Sequence, residues 1–404
     1  MKIRNQKEFL TLLKGATFLA AGGGGPFSLG KEIVETYFKD IKEFEIDIIN
    51  SNQLNNSEWV SIAAGMGQPS ASTTFSPQAV VNPTVNAIKA MEKLIKELLI
   101  TKNDKRFESF EKFNALSPIE VGAINVAIPL ISAYILQDNI FVVDGDAAGR
   151  SVPTIDLTPF ATTQPVMPNM ATSDGDEYEF TVMSLKNYQD LGTAYSKLME
   201  AGLIGDVTGL CLAPMSGETL NNGNIVKGTL TDAYNIGIMF EENLSSDERI
   251  KKIQTYLNTK AQTPRQLKLI CTGKVTAYTT QTEDVTDLGY LTINTDDNRV
   301  FTILIQNENI IGQFDDETYV TITGPDSICY LAKKDGPLDQ NEIYENVLIS
   351  EKFSKGEDVY IHVIAIEAAD VIKKNEKLMA SWNAAYKTSR YYGPYSDKLW
   401  TECK

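Results

Sequence analysis

From Arg265 onward the chain is a train of short alternating apolar segments: LKLICTGKVTAYT, LGYLTINT, RVFTILIQN, TYVTITG, SICYLA and VYIHVIAI, separated by Gly, Asn, Asp and Pro. Period-two segments at so regular an interval, joined by residues that favour turns, predict an antiparallel barrel or sandwich. No other stretch limits the fold as strongly.

The first 170 residues follow a different pattern. Phe9, Leu12, Leu13, Ala16 and Leu19 recur at helical spacing over residues 6–20, and Ile33, Val34, Tyr37 and Phe38 do so over 31–38. Residues 44–49 and 59–64 alternate as strands. Asn82-Pro83 has the form of a helix start, an N-cap residue followed by proline at the first helical position, with Val85, Ile88, Met91, Ile95 and Leu98 on one face. Residues 120–123 read as a loop, and a buried helix is expected from about Asn125 with Pro129 in its first turn. The β-branched strand 140–144 follows. Helix alternating with strand is the signature of a layered α/β domain. The Pro- and Thr-rich text after Arg150 marks a domain crossing, so the expected units are 1–170 and 171–404, the second strand-rich only from about 265. Between these limits the sequence predicts strands at 178–183 and 207–213, a helix at 193–201 and one long helix over about 228–257.

Chemistry is limited most by the single histidine, His362. Ser-His-Asp and Cys-His catalysis, HExxH zinc sites and two-His-one-carboxylate iron sites all need histidine, and His362 sits in an alternating strand where a packed structural role is expected. Acid–base work therefore falls to carboxylates, thiols, lysines or tyrosines. Cys211, Cys271, Cys329 and Cys403 are far apart and form no CxxC pair, which fits a reducing cytoplasm. Cys211 and Cys329 have apolar neighbours and read as buried, inert thiols. A net charge of −16 repels nucleic acid and anionic membrane, so the expected partner is a small molecule, with homo-oligomerisation open. No apolar run reaches membrane-spanning length, and Glu8 and Lys14 break the N-terminal apolar stretch, against a signal peptide.

Two stretches carry candidate chemistry. The strand of NIFVVDGDAAGR ends abruptly in Asp144-Gly145-Asp146 and then Gly149-Arg150. Acids just beyond the carboxyl end of a strand in an α/β sheet stand where ligands bind, although Asp-Gly also serves as a plain turn. Gly22-Gly23-Gly24-Gly25, between two helices, can turn successive N–H groups into one concavity beside a helix amino end, or can simply make a tight connection. It is neither a Walker A nor a dinucleotide fingerprint. Ser117 and Glu120 resemble a capping box, which puts Glu120 and Asn125 near a helix start. A divalent metal held by Asp144, Asp146 and Glu120 needs only oxygen ligands. Gln306-Asn307-Glu308-Asn309 reads first as a hairpin turn.

Taken in order, AAGGGGPFSLG, GMGQP, IEVGAIN followed by PLISAY, VVDGDAAGRSVP, GTLTDAYNIG, LIQNENIIG and GPDSICYL resemble the S-methyl thiohydantoin desulfurase family over nearly the whole chain. The resemblance implies an N-terminal three-layer α/β/α domain, a C-terminal β-barrel-like domain, and a hydrolase that releases methanethiol from an S-methylated hydantoin-type ring; no cofactor is expected, and the carboxylate-held metal stays an open option. Under that reading Asp144 or Asp146 is the base, Arg150 and the amides of Gly22 to Gly25 hold the ring oxygens, Asn125 orients them, and Glu120 and Gly149 contact the substrate. The chain departs from the family pattern at Pro26-Phe27, where an acid is usual, at Gly122-Ala123, where two glycines are usual, and over residues 70–76, which contain no acid. These departures keep a non-catalytic small-molecule-binding or regulatory protein as the alternative.

Overall fold

The computed structural model describes residues 1–67, 76–102, 107–137, 140–165, 168, 170–173, 180–205, 207–283 and 286–401. The N-terminal part contains β1 (Lys2–Ile3), α1 (Gln6–Leu19), α2 (Phe27–Tyr37), β2 (Ile46–Ile49), β3 (Trp59–Gly67), α3 (Gln78–Lys102), β4 (Ala115–Pro118), α4 (Ala123–Leu136), β5 (Phe141–Val143) and β6 (Gly145–Asp146). Next come β7 (Met170–Ser173), β8 (Phe180–Met183), α5 (Tyr188–Glu200), β9 (Val207–Ser216), α6 (Gly217–Asn221), β10 (Val226–Lys227), α7 (Thr229–Glu241) and α8 (Ser246–Thr259).

Apart from β6 and β10, which pair antiparallel with each other, these strands build an eight-stranded sheet in the order β1-β2-β5-β4-β3-β9-β7-β8. Its centre, β2-β5-β4-β3, is parallel, and both flanks are antiparallel. Successive residues of the central strands feed two different cores. Ala63, Leu116, Val142 and Cys211 pack with α1, α2, α3, α4 and α7, whereas Ile62, Ala115, Val143 and Leu212 pack with Tyr188, Leu191 and Tyr195 of α5. Burial on both faces is why these strands read as continuous apolar runs. Because β7, β8 and β9 all join this sheet, the α/β unit extends well past the Pro- and Thr-rich segment.

The second domain contains β11 (Leu267–Glu283), β12 (Thr286–Thr295), β13 (Val300–Gln306), β14 (Glu308–Phe314), β15 (Ile322–Thr323), β16 (Ser327–Ala332), α9 (Asn346–Ser354), β17 (Tyr360–Ile366), α10 (Asp370–Lys373), α11 (Glu376–Ala385) and α12 (Lys398–Thr401). Its sheet is antiparallel, in the order β15-β14-β13-β12-β11-β17-β16. Asn309 of β14 bonds the Ile328 carbonyl at 2.9 Å and accepts from the Tyr330 hydroxyl at 2.9 Å, both on β16, so a strand near one end of the order meets the strand at the other. The sheet is curled into a half-barrel with Leu291, Ile303 and Val363 inside.

Three local expectations are corrected. The helix 228–257 is two helices, because Ser245 and Glu248 form a reciprocal capping box that starts α8 afresh. α3 begins four residues before Asn82 and carries Pro83 inside it. α4 begins at Ala123, which puts Pro129 beyond the first turn. Among the described residues, no helix is long and apolar enough to cross a membrane.

Candidate functional site

A cavity of about 480 Å³ lies between the two domains, beyond the carboxyl ends of β3 and β4. That volume suits a small ring compound. The glycine loop between α1 and α2, the end of β3 and the β4–α4 turn form one wall; Tyr278, Asp287, the β13–β14 hairpin and the start of α9 form the other.

Backbone hydrogen bonds tie the walls at the glycine loop. Asn309 donates its N–H to the Ala21 carbonyl at 2.9 Å, and Asn346 donates to that of Gly22 at 3.0 Å. Gly24 has φ +69°, and a Cβ there would stand 2.7 Å from Gly122 Cα. A side chain is excluded at this crossing by both conformation and space. α2 and α4 start at the loop with Pro26 and Gly122 as N-caps, and neither cap supplies a side-chain hydrogen bond. Two helix amino ends, each carrying partial positive charge, thus border the cavity.

The acids of the lining are unusual. Glu120 accepts from the Asn125 amide at 2.8 Å and from the Val152 N–H at 2.8 Å. Burial nevertheless pushes its carboxyl up to about 7, and the Asp146 charge adds to the rise. Asn125 is fixed in turn by the Gly65 N–H at 3.1 Å. Glu308 is 5 % exposed, and its Oε2 has no hydrogen-bond partner among the described residues. Burial first and the Glu120 charge second hold it well above the usual carboxylate range, although Arg150 pulls the other way. Glu345 caps α9 by accepting from the N–H groups of Val347 and Leu348, the latter at 2.9 Å, and burial pushes it up to about 8. Burial thus favours the protonated form of Glu308, while Glu120, near neutrality, is poised between its two forms, a pairing in which one carboxyl can donate and the other accept.

Of the residues singled out from the sequence, Gly22 to Gly25, Glu120 and Asn125 line the cavity. Asp144, Asp146, Gly149 and Arg150 are not in the lining, and they bond to groups elsewhere in the fold, although Asp146 Oδ1 is buried without a partner among the described residues. Asp144 accepts from the Thr231 N–H at 3.0 Å and the Thr231 hydroxyl at 2.6 Å, so it caps the first turn of α7 from another part of the chain. Asp146 gathers the N–H groups of Val121, Ala148 and Gly149 on one oxygen at 2.7–3.1 Å. The Gly149 carbonyl accepts from Arg265 at 3.2 Å. Arg150, 1 % exposed, donates to the carbonyls of Ser151, Asp326 and Asn309 at 2.6–2.8 Å and lies over the Trp382 ring. The acid-rich loop is thus framework behind the wall.

Nor do Asp144, Asp146 and Glu120 converge: among the described residues no three His, Cys, Asp or Glu side chains are grouped as a metal ion would require. His362 is buried with Nδ1 at 2.7 Å from the Thr272 hydroxyl. Cys211, Cys271 and Cys329 are buried thiols pushed up to about 12, and Cys403 lies outside the described residues. The 306–309 segment is a tight turn, with Asn307 at φ +58°, and it also delivers Glu308 to the cavity. Glu345 and Asn346 lacked a sequence signal beyond helix-start chemistry.

The family descriptions "S-Me-THD-like, N-terminal domain" and "S-Me-THD-like, C-terminal domain" match residues 7–184 and 198–384. No curated protein matches the chain. A crystal structure of a protein from Chromobacterium violaceum superposes with a TM-score of 0.77 over 98% of this chain and 99% of its own, at 21% identity, a likeness that shows the fold. The chain belongs to the S-methyl thiohydantoin desulfurase-like family.

Proposed function

We propose, with that membership as premise, that the cavity hydrolyses an S-methylated thiohydantoin-type ring and releases methanethiol. The family name supports the substrate class, and Glu308, whose protonated form burial favours, together with Glu120, whose charge it senses across the same cavity, supports the chemistry. Water attacks the ring carbon that bears sulfur. Glu120 takes one proton from the water, and Glu308 gives its proton to the adjacent ring nitrogen as the carbon becomes tetrahedral. The new hydroxyl then returns a proton to Glu308, the C–S bond breaks, and the departing thiolate takes the proton held by Glu120. The sum is ring plus water to hydantoin plus methanethiol, with both carboxyls restored.

The amino ends of α2 and α4 and the amides of Gly22, Gly24 and Gly25 suit the ring oxygens, the Gly23 N–H being spent on the Ala20 carbonyl at 3.1 Å, and Asn125 holds Glu120 in register. Asp144, Asp146, Gly149 and Arg150 act as positioning residues in this scheme. It treats the helices on either side of the eight-stranded sheet as outer layers of a three-layer α/β/α domain. The test is thiol release from an S-methyl thiohydantoin: wild type should turn over, and Glu120→Gln should lower kcat by about 10²–10⁴. Binding without release by wild type favours the non-catalytic reading.

A further inference from the structure

Three of the four glycines between α1 and α2 answer to the backbone: Gly22, Gly24 and Gly25 lie at φ +83°, +69° and +79°, where an L side chain is strained. Gly23 does not. Its φ lies outside the left-handed region, and its N–H bonds the Ala20 carbonyl at 3.1 Å, a turn bond that any residue other than proline can make. What excludes a side chain at Gly23 is one residue of the other domain. A Cβ there would stand 2.4 Å from Glu308 Cγ, 2.5 Å from its Oε1 and 2.8 Å from its Cδ, the three nearest heavy atoms outside the adjoining residues.

Glu308 reaches this place from a backbone fixed on both sides. Asn307, at φ +58°, donates its N–H to the Asp287 carbonyl at 2.8 Å and accepts the Asp287 N–H on its side-chain oxygen, also at 2.8 Å. On the other side Asn309 donates its N–H to the Ala21 carbonyl, two residues before Gly23. The β13–β14 turn is thus pinned to β12 and to the glycine loop, and the Glu308 carboxyl rests on Gly23.

We infer that Gly23 is a positioning residue: its missing side chain is the seat that holds the Glu308 carboxyl in the cavity lining when the two domains are docked. The inference rests on the proposed role of Glu308 and goes beyond it, because it makes the N-terminal domain responsible for where an acid of the C-terminal domain stands. A methyl group on the seat pushes that carboxyl aside, and a displacement of about 1 Å at a reacting group can cost a factor of about 10² in rate.

A double-mutant cycle of the full chain with Gly23→Ala and Glu308→Ala, read by Tm and by methanethiol release, tests the seat. Gly23→Ala should lower Tm in the wild-type background. In the Glu308→Ala background, where the clash is gone, it should leave Tm unchanged or raise it slightly, as alanine at an ordinary φ does. In turnover, Gly23→Ala should lower kcat by about 10–100-fold with KM within about threefold, and should lower it no further once Glu308 is alanine. An equal fall in Tm in both backgrounds overturns the seat. Equal fractional losses of kcat in both, or an unchanged kcat in Gly23→Ala alone, overturn the positioning role. Full turnover in Glu308→Ala overturns the proton-donor reading of Glu308, and the Tm cycle then decides the seat by itself.

Discussion

Two regions of the molecule offer acids where strands end, and they are used in opposite ways. In the 144–150 loop every carboxylate has N–H or hydroxyl donors, and the arginine is satisfied by carbonyls. At the domain junction Glu120 and Glu308 come from opposite walls, and one oxygen is left without a partner. Both are buried, and each holds one carboxylate oxygen without a partner among the described residues, Asp146 Oδ1 and Glu308 Oε2; what distinguishes them is that Glu308 lines the cavity and Asp146 does not. A buried acid behind the wall, held by several backbone N–H groups, is structure, whereas one in the lining of a cavity is placed where a ligand can bind.

The largest effect separating the two regions is expected at Arg150. Arg150→Ala leaves three buried carbonyls and a void under Trp382, and should cost about 3–5 kcal/mol in urea unfolding. A loss below about 1 kcal/mol together with abolished turnover would make the loop chemical after all. Asp146→Ala strands three buried N–H groups and should cost about 3 kcal/mol. Asp144→Ala removes only the cap on α7, worth about 1 kcal/mol, and would show as a modest fall in Tm with turnover within a few-fold of wild type.

At the junction the sharper probe is pH. Glu120 and Glu345 have folded-state values near 7 and 8, raised above the ordinary unfolded value. The folded protein therefore binds more protons than the unfolded chain between those limits. Their contribution to stability is complete below about pH 4 and is lost as pH rises through the folded values. Thermal stability should fall from pH 5 to pH 8, and Glu345→Gln, which keeps an acceptor for the α9 N–H groups, should flatten that fall. An unchanged slope in the variant would mean that Glu345 is charged in the fold.

Much of the fold is legible in the sequence because its cues are local. The period-two train after Arg265 gives the antiparallel sheet, and Ser245 with Glu248 holds the signal that splits α7 from α8. Glu120 and Asn125 are legible from a helix start. What local rules miss are contacts between distant segments. Asp144 caps a helix that begins at Thr229, and Glu308 packs where a Gly23 side chain would stand. Asp-Gly-Asp attracts notice because turn and site chemistry use the same residues; only their place relative to the cavity tells them apart.

The central claim is that turnover belongs to the junction and stability to the 144–150 loop. Side-by-side measurement of methanethiol release and unfolding free energy for Glu308→Gln and Asp144→Ala tests it most directly. Glu308→Gln should lose about 10²–10⁴ in kcat and stay within about 1 kcal/mol of wild-type stability, while Asp144→Ala loses stability and keeps turnover. Full turnover in Glu308→Gln, with turnover abolished in a stably folded Asp144→Ala, would contradict the account.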